Sequence, residues 1–155
     1  MREAHNSKFK TPNSKFILSS CHLVILSKLK KTKNHIMVIE IKRYRYSPYG
    51  VDGMVIINGR TICASVEHPH NYLPAGCYPV TLSTDKALRR RMPTLPQGAT
   101  IRAGNGAMTL RDGSIIVGRQ HIPGVVVRSG EEFGRLFERI EKNVKRKKGV
   151  VVVIT

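Results

Sequence analysis

Two short apolar segments flank the dipeptide Asn58-Gly59, and this pattern constrains the fold more than any other part of the chain. Residues 54–57 form the first segment and residues 60–66 the second. Asn-Gly is a strong signal for a two-residue turn between antiparallel strands, because both turn positions need the positive φ that these residues tolerate. The sequence therefore predicts a β-hairpin near the middle of the chain.

The segment before the hairpin predicts a further strand with a change of phase. Met37, Ile39 and Ile41 occupy alternate positions, as in a strand with one buried face. Beyond residue 42 the apolar positions are taken by Tyr44 and Tyr46, one residue out of step. Because a one-residue slip turns every side chain to the opposite face, we expect a β-bulge near residues 42–43.

Shorter apolar segments, separated by turn residues, continue along the chain. They predict short strands at residues 78–82, 100–102, 108–110, 114–117 and 125–127. Residues 85–97 contain three consecutive arginines followed by two prolines. This composition predicts an exposed basic loop or a single helical turn.

One helix is predicted near the end of the chain. Its apolar stripe has i, i+3, i+4, i+7 and i+11 spacing and consists of Phe133, Leu136, Phe137, Ile140 and Val144. We expect Ser129 and Glu132 to form a capping box, Gly149 to end the helix, and residues 150–154 to form a doubly buried strand. The expected fold is mainly β (α+β): a compact antiparallel sheet or partly open barrel with one C-terminal amphipathic helix followed by a strand.

The first 36 residues differ from the rest of the chain. They hold eight basic residues and one acidic residue, and residues 16–26 are mostly apolar, a weakly signal-like pattern. Lysines follow where a small-residue cleavage site belongs, so we expect a cytoplasmic protein with no membrane span. We interpret residues 1–36 as a disordered or non-native basic extension and residues 37–155 as one β-rich domain. A basic arm that contacts nucleic acid or anionic lipid is the alternative.

The charge of the chain favours polyanionic partners, since 27 Lys and Arg stand against 10 Asp and Glu. Candidate nucleic-acid contacts are Arg43, Arg45, Arg89, Arg90 and Arg91, with Tyr44, Tyr46 and Tyr49 as stacking platforms. Aromatic residues make up only 6% of the chain, and basic residues at a helix end also follow from the helix dipole. Nucleic-acid binding is therefore an alternative hypothesis.

The cysteines and histidines predict neither a disulfide scaffold nor a metal site. Three cysteines are few and odd in number, which favours a reducing compartment. Cys63, His68, His70 and Cys77 have the spacing Cys-x4-His-x-His-x6-Cys. This spacing lacks the close ligand pairs typical of zinc sites, so we expect no metal and no other cofactor.

A series of short motifs from Met37 onwards resembles a family of small domains of unknown function found in phages and gut Bacteroidetes. The matching motifs, in chain order, are residues 57–60, 66–69, 73–80, 101–105 and 112–118, followed by the closing helix. That family is distantly similar to L,D-transpeptidases, which cross-link peptidoglycan through a cysteine. In the family, histidine stands at the place of Arg102 and cysteine at the place of Ser114.

The departure at these two positions argues against catalysis. Arginine does not release its proton near neutral pH, and serine without a base is a poor nucleophile. We therefore assign no catalytic residue and expect a non-catalytic binding or structural domain for an unidentified protein or small ligand, of phage or mobile-element origin. Its candidate groove is formed by Arg102, Asn105, Asp112 and Ser114. The alternatives are a nucleic-acid-binding module and a degenerate cell-wall peptide transferase or hydrolase, that is, a pseudo-enzyme.

Overall fold

A computed structural model of the protein describes residues 36–86 and 89–155. The interpretation of residues 1–35 as a basic extension with a signal-like segment lies outside the described residues. The elements are β1 (Met37–Ser47), β2 (Gly50–Ile57), β3 (Arg60–Glu67), β4 (Gly76–Pro79), β5 (Thr81–Asp85), β6 (Arg90–Thr94), β7 (Ile101–Arg102), β8 (Ile115–Ile122), β9 (Val125–Val127), α1 (Ser129–Lys145) and β10 (Val150–Ile154). Short 3₁₀ turns lie at Pro96–Gly98 and Ala107–Thr109.

Eight of the strands form one open sheet in the order β4-β10-β1-β2-β3-β8-β7, with β9 paired to β8. β1 runs parallel to β10 and β7 runs parallel to β8, whereas the other pairs are antiparallel. β5 and β6 form a separate hairpin. The predicted mainly β fold with one C-terminal helix and a following strand is confirmed, and the sheet is open rather than closed into a barrel. Within the described ranges, no helix combines the length and apolar character needed to cross a membrane.

The main hydrophobic core lies on one face of the sheet, beneath α1 and the β5–β6 hairpin. Ile39 of β1, Met92 of β6, and Leu136 and Ile140 of α1 belong to it and are almost fully buried. The opposite face carries a smaller buried cluster of Val66, Ala107, Leu110, Ile116 and Val126. The predicted apolar stripe of the helix therefore faces the core, as expected for an amphipathic helix.

The predicted hairpin and the predicted bulge are both present. Asn58 and Gly59 have φ values of 51° and 73° and connect β2 to β3. The register between β1 and β2 shifts between Arg43 and Arg45, one residue later than expected. Tyr44 is the extra residue, and the shift places the side chains of Arg43 and Arg45 on opposite faces of the sheet.

The two ends of α1 differ from the prediction. Ser129 and Glu132 do not form a capping box, because the Ser129 hydroxyl donates to the Val117 carbonyl and accepts a hydrogen bond from the Gly104 amide. The Glu132 carboxylate instead accepts a hydrogen bond from Arg119 Nε at 2.9 Å. The helix ends at Lys145, and Lys147 takes the left-handed conformation (φ 55°) that was expected of glycine.

Two local predictions are wrong. Residues 90–94, within the predicted basic loop or helical turn, form strand β6, which pairs with β5 and buries Met92 against the main core. The pattern at residues 108–110 predicts a strand, but a 3₁₀ turn occupies Ala107–Thr109, and the Thr109 hydroxyl donates to the Gly106 carbonyl at 2.8 Å. The Ala107 amide also donates to the distant Gly124 carbonyl at 2.8 Å, so in both places contacts with distant parts of the chain outweigh the local pattern.

Candidate functional site

The candidate groove residues lie where β7 runs beside the start of β8. Ile101 pairs with Ile115 and Arg102 with Ile116, so alternation places Arg102 and Ser114 on the same face. The Ser114 side chain is fully buried, and its hydroxyl accepts a hydrogen bond from the Thr100 amide at 2.9 Å. The Ser114 amide in turn donates to Asp112 Oδ1 at 3.1 Å. Ser114 and Asp112 therefore hold the start of β8 against the preceding chain.

Within the ranges that the structure describes, the side chains of these four residues form no hydrogen bond or ion pair with one another. Among the described residues, the hydroxyl of Ser114 is hydrogen-bonded only to Thr100, at 2.9 Å from its amide nitrogen and 3.1 Å from its hydroxyl oxygen. His121 lies on the same strand but seven residues further along, a distance of about 23 Å. The Asn105 side chain is exposed, while its carbonyl accepts a hydrogen bond from the Val126 amide at 2.9 Å. Within the described part of the chain, no hydrogen bond or ion pair connects Arg102 to the other three residues.

The cysteines and histidines are also separated. Cys63 lies on β3 and Cys77 on β4, and three strands stand between them, which corresponds to about 19 Å. Burial raises the pKa of Cys63 to about 12, so its thiol is not a nucleophile at neutral pH. His68 Nδ1 accepts hydrogen bonds from the amides of His70 and Asn71, both at 3.1 Å. Among residues 36–86 and 89–155, no group of three His, Cys, Asp or Glu side chains is placed to hold a metal ion.

Arg43 forms a buried ion pair with Glu67 on the main-core side of the sheet. The guanidinium donates from Nε and Nη2 to the two carboxylate oxygens at 2.8 and 2.7 Å, and Nη2 also donates to the Leu73 carbonyl at 2.6 Å. Only 3% of the Arg43 side chain is exposed, and its Cζ lies 4.6 Å from the centre of the Tyr72 ring. Burial alone would lower the pKa of Arg43, but the hydrogen bond and charge of Glu67 raise it. Arg43 is therefore not available to a phosphate, contrary to its proposed role.

A second buried acid, Asp52, lies on the opposite face. Its Oδ2 accepts a hydrogen bond from Arg45 Nε at 2.7 Å, and its Oδ1 accepts from the Gly124 amide at 3.0 Å and from Gln120 Nε2 at 3.2 Å. Tyr44 donates its hydroxyl proton to Gln120 Oε1 at 3.1 Å. Asp52 thus joins the β1 bulge to the β8–β9 turn, and the Nε of Arg45 is occupied by this ion pair.

Both buried acids stand in apolar strand segments, and this signal did not enter the prediction of functional residues. Asp52 stands within the apolar segment of β2, and Glu67 ends the apolar face of β3. A carboxylate at an inward strand position requires a cationic partner, because burial of an unpaired charge is strongly unfavourable.

The exposed tyrosines are gathered at the tip between β1 and β2. Tyr44, Tyr46 and Tyr49 expose 47%, 62% and 65% of their surface. Tyr46 contacts Tyr72 edge to face, with ring centres 6.2 Å apart. The tip therefore presents the aromatic surface that base stacking would need. Of the five arginines predicted to contact nucleic acid, Arg45 is the one that lies beside this tip and remains partly exposed.

Arg89, Arg90 and Arg91 lie elsewhere, beside the end of α1. Arg91 Nη1 is 3.3 Å from Glu141 Oε1, and Lys145 Nζ is 2.9 Å from Glu141 Oε2. The contact joins the β5–β6 hairpin to the last turns of the helix. We call the resulting patch the basic surface; it consists of Arg89, Arg90, Arg91, Lys142, Lys145, Arg146, Lys147 and Lys148. A shallow depression of about 380 Å³ lies on its helix side, lined by Glu138, Glu141, Lys142, Lys145 and Arg146.

The tyrosine tip and the basic surface lie at opposite ends of β1. Asn143 near the end of α1 contacts Met37 at the start of β1, with 3.2 Å between Nδ2 and Sδ. Nine residues of extended strand separate Met37 from Tyr46, a distance of about 30 Å. The five predicted nucleic-acid contacts are thus divided between a buried ion pair, the tyrosine tip and the basic surface.

No family model, no curated protein and no solved structure matches this chain.

Proposed function

We propose that this chain is a non-catalytic β-rich binding domain. The supporting observation is the Ser114 hydroxyl, which stands where the resembling family has its cysteine. It is fully buried and is held by the Thr100 amide at 2.9 Å. A serine nucleophile needs a base within hydrogen-bond reach and access for the substrate; among residues 36–86 and 89–155 the hydroxyl of Ser114 pairs with Thr100 and with no base, and it is buried.

Binding is supported by side chains that the fold does not need. The three tyrosines of the tip are exposed, and most cations of the basic surface have no acidic partner among the described residues. Exposed aromatic and unpaired basic groups contribute little to folding but much to recognition of a partner. Both features are expected of a binding domain.

The proposal is tested by chemical labelling of Ser114. The full chain is incubated with a fluorophosphonate, which modifies activated serines, and separately with a peptidoglycan tetrapeptide, and intact mass is measured. We expect no adduct and no transfer or hydrolysis of the peptide. An adduct or turnover that disappears in Ser114→Ala, but persists in the exposed control Ser83→Ala, would establish the alternative of a cell-wall peptide transferase or hydrolase.

The same two variants separate a structural role from a chemical one. Ser114→Ala removes the acceptor of the Thr100 amide, so it should lower the free energy of unfolding by about 1–3 kcal/mol. Ser83→Ala removes only an exposed hydroxyl that is hydrogen-bonded to Thr94 Oγ1, so its effect should be smaller, below about 1 kcal/mol. Equal stability of the two variants would contradict the structural role of Ser114.

A further inference from the structure

The fold brings together two cationic segments that are about fifty residues apart in the sequence. Arg89, Arg90 and Arg91 come from the β5–β6 hairpin, and the remaining cations of the basic surface come from the end of α1. Glu141 accepts ion pairs from both sides, from Arg91 at 3.3 Å and from Lys145 at 2.9 Å. In the described ranges, the other six cations of the basic surface form no ion pair.

This arrangement is not explained by helix stability. Cations in the last turn of a helix interact favourably with its dipole, which accounts for residues such as Lys145 and Arg146. The dipole gives no reason for three arginines at the turn and start of the neighbouring strand β6, where they add repulsion between like charges. A concentration of unpaired positive charge from two independent elements indicates a surface that is neutralised by a polyanion.

We propose that the basic surface binds the phosphate backbone of double-stranded nucleic acid without reading its sequence. This inference rests on the proposed function, since it names the partner of the binding domain. Arginine guanidinium groups suit phosphate because they donate paired hydrogen bonds in a planar fork. Lysines add charge without a directional requirement, which is appropriate for contacts that ignore base identity.

The composition of the surface favours a duplex over a single strand or a membrane. The exposed large apolar side chains of the described residues are Tyr44, Tyr46, Tyr49, Met108, Ile122 and Val127. None of them belongs to the basic surface, so it has no platform on which an unpaired base could stack and no side chain to insert among lipid tails. Phosphate contacts along a duplex need neither.

The size of the surface is sufficient for several phosphates. Residues 139–145, the last two turns of α1, rise by about 10 Å, and a duplex presents one charge per ~1.7 Å of its axis. Six unpaired cations can therefore reach about four to six phosphates. We expect the logarithm of the binding constant to fall with the logarithm of salt concentration with a slope of about −4 to −5.

The test uses the full chain and fluorescence anisotropy with labelled 20-base-pair DNA and RNA duplexes of two unrelated sequences, between 50 and 200 mM KCl. Arg89→Gln/Arg90→Gln removes the exposed hairpin pair, and Lys142→Gln/Arg146→Gln removes an exposed helix pair. Lys42→Gln/Arg111→Gln is the matched control, because it removes the same charge from exposed positions elsewhere. The basic residues of positions 1–36 are unchanged in every variant.

We expect each surface pair to weaken duplex binding on the order of tenfold and to reduce the salt slope by about 2, because two counterion releases are lost. The control should change affinity less than threefold, and all three variants should melt at the wild-type temperature. The two duplex sequences should bind equally, and the DNA and RNA measurements show which duplex is preferred.

Several results would overturn the inference. If the control variant weakens duplex binding as much as the surface variants do, total charge and not the basic surface determines binding. If either surface variant leaves duplex affinity unchanged, the hairpin and the helix end do not bind the duplex together. Stronger binding of single strands, or binding to phosphatidylserine vesicles in place of duplexes, would identify another ligand. None of these results changes the outcome of Ser114 labelling, so failure of the duplex proposal and failure of the proposed function are distinguishable.

Discussion

Replacing Arg43 by Met tests whether the buried ion pair with Glu67 holds the end of the core together. The variant removes donors to both Glu67 oxygens, at 2.8 and 2.7 Å, and the donor to the Leu73 carbonyl at 2.6 Å. Met keeps a stem of similar length and fills most of the space, so little of the effect comes from a cavity. What remains is a carboxylate that is 1% exposed and has lost its cation.

The expected loss follows from that uncompensated charge. Removing one partner of a buried ion pair lowers stability by about 3–5 kcal/mol, and we expect about 4 kcal/mol for Arg43→Met. Glu67→Gln should also destabilise the protein, because the guanidinium then lacks its anion. The double variant Arg43→Met/Glu67→Gln leaves no unpaired charge in the site. It should therefore be more stable than the sum of the single effects predicts, with a coupling free energy of about 2–3 kcal/mol.

The measurement is urea unfolding followed by circular dichroism, since the chain has no tryptophan. A loss of about 4 kcal/mol corresponds to a fall in melting temperature of roughly 10–20 °C for a domain of this size. Arg135→Met is the control, because Arg135 remains 57% exposed in its ion pairs with Glu131 and Glu132, and Glu132 keeps its hydrogen bond from Arg119; the loss should stay below about 1 kcal/mol. Additive single effects, or an Arg43→Met variant as stable as this control, would refute the reasoning.

Two further predictions concern burial and backbone geometry. Burial raises the pKa of Cys63 from 9.0 to about 12, so the thiol of the unfolded chain loses its proton at lower pH than the thiol of the folded protein. The free energy of unfolding should therefore fall as pH rises between these two values, with a limiting slope of about 1.4 kcal/mol per pH unit. Unfolding of Cys63→Ala measured from pH 8 to 11 should show a shallower fall, and parallel curves would contradict this assignment. Gly124 and Gly59 share a φ of 73°, but a Cβ at Gly124 would lie 2.1 Å from the Tyr49 carbonyl oxygen, whereas Gly59 is open. Gly59→Ala should therefore cost about 1–2 kcal/mol in thermal unfolding and Gly124→Ala at least twice as much, and equal losses would show that the backbone yields at Gly124.

The parts of the fold that could be predicted from the sequence are those determined by neighbouring residues. The Asn58-Gly59 turn depends on the φ preferences of two residues, and the helix depends on an apolar spacing repeated over about three turns. The bulge in β1 was predictable because a one-residue change of phase within a strand requires an extra residue at that point. The pattern did not assign the two faces of β1 correctly beyond residue 42. It placed both Arg43 and Arg45 on the solvent face, whereas the side chain of Arg43 is buried.

The buried ion pairs could not be predicted because their partners are distant in the chain. Arg43 and Glu67 are separated by 24 residues, and Asp52 and the Gly124 amide by 72. No local pattern indicates which cation meets which acid, because register across three strands decides it. Ser114 illustrates the same limit: the motif identified its position, but only the neighbouring Thr100 amide shows that its hydroxyl is a structural acceptor.

The different roles of the arginines follow from the same physical cause. Arg43 is buried because it continues the inward alternation of Ile39 and Ile41, and Glu67 compensates its charge; the bulge that follows turns Arg45 to the opposite face. Arg91 reaches Glu141 because residues 90–94 form a strand, not the loop that their composition predicts. Composition alone treats these arginines as equivalent contacts for a polyanion. The pairing of strands leaves Arg89 and Arg90 exposed beside the helix cations, so the candidate binding surface is a product of the tertiary fold.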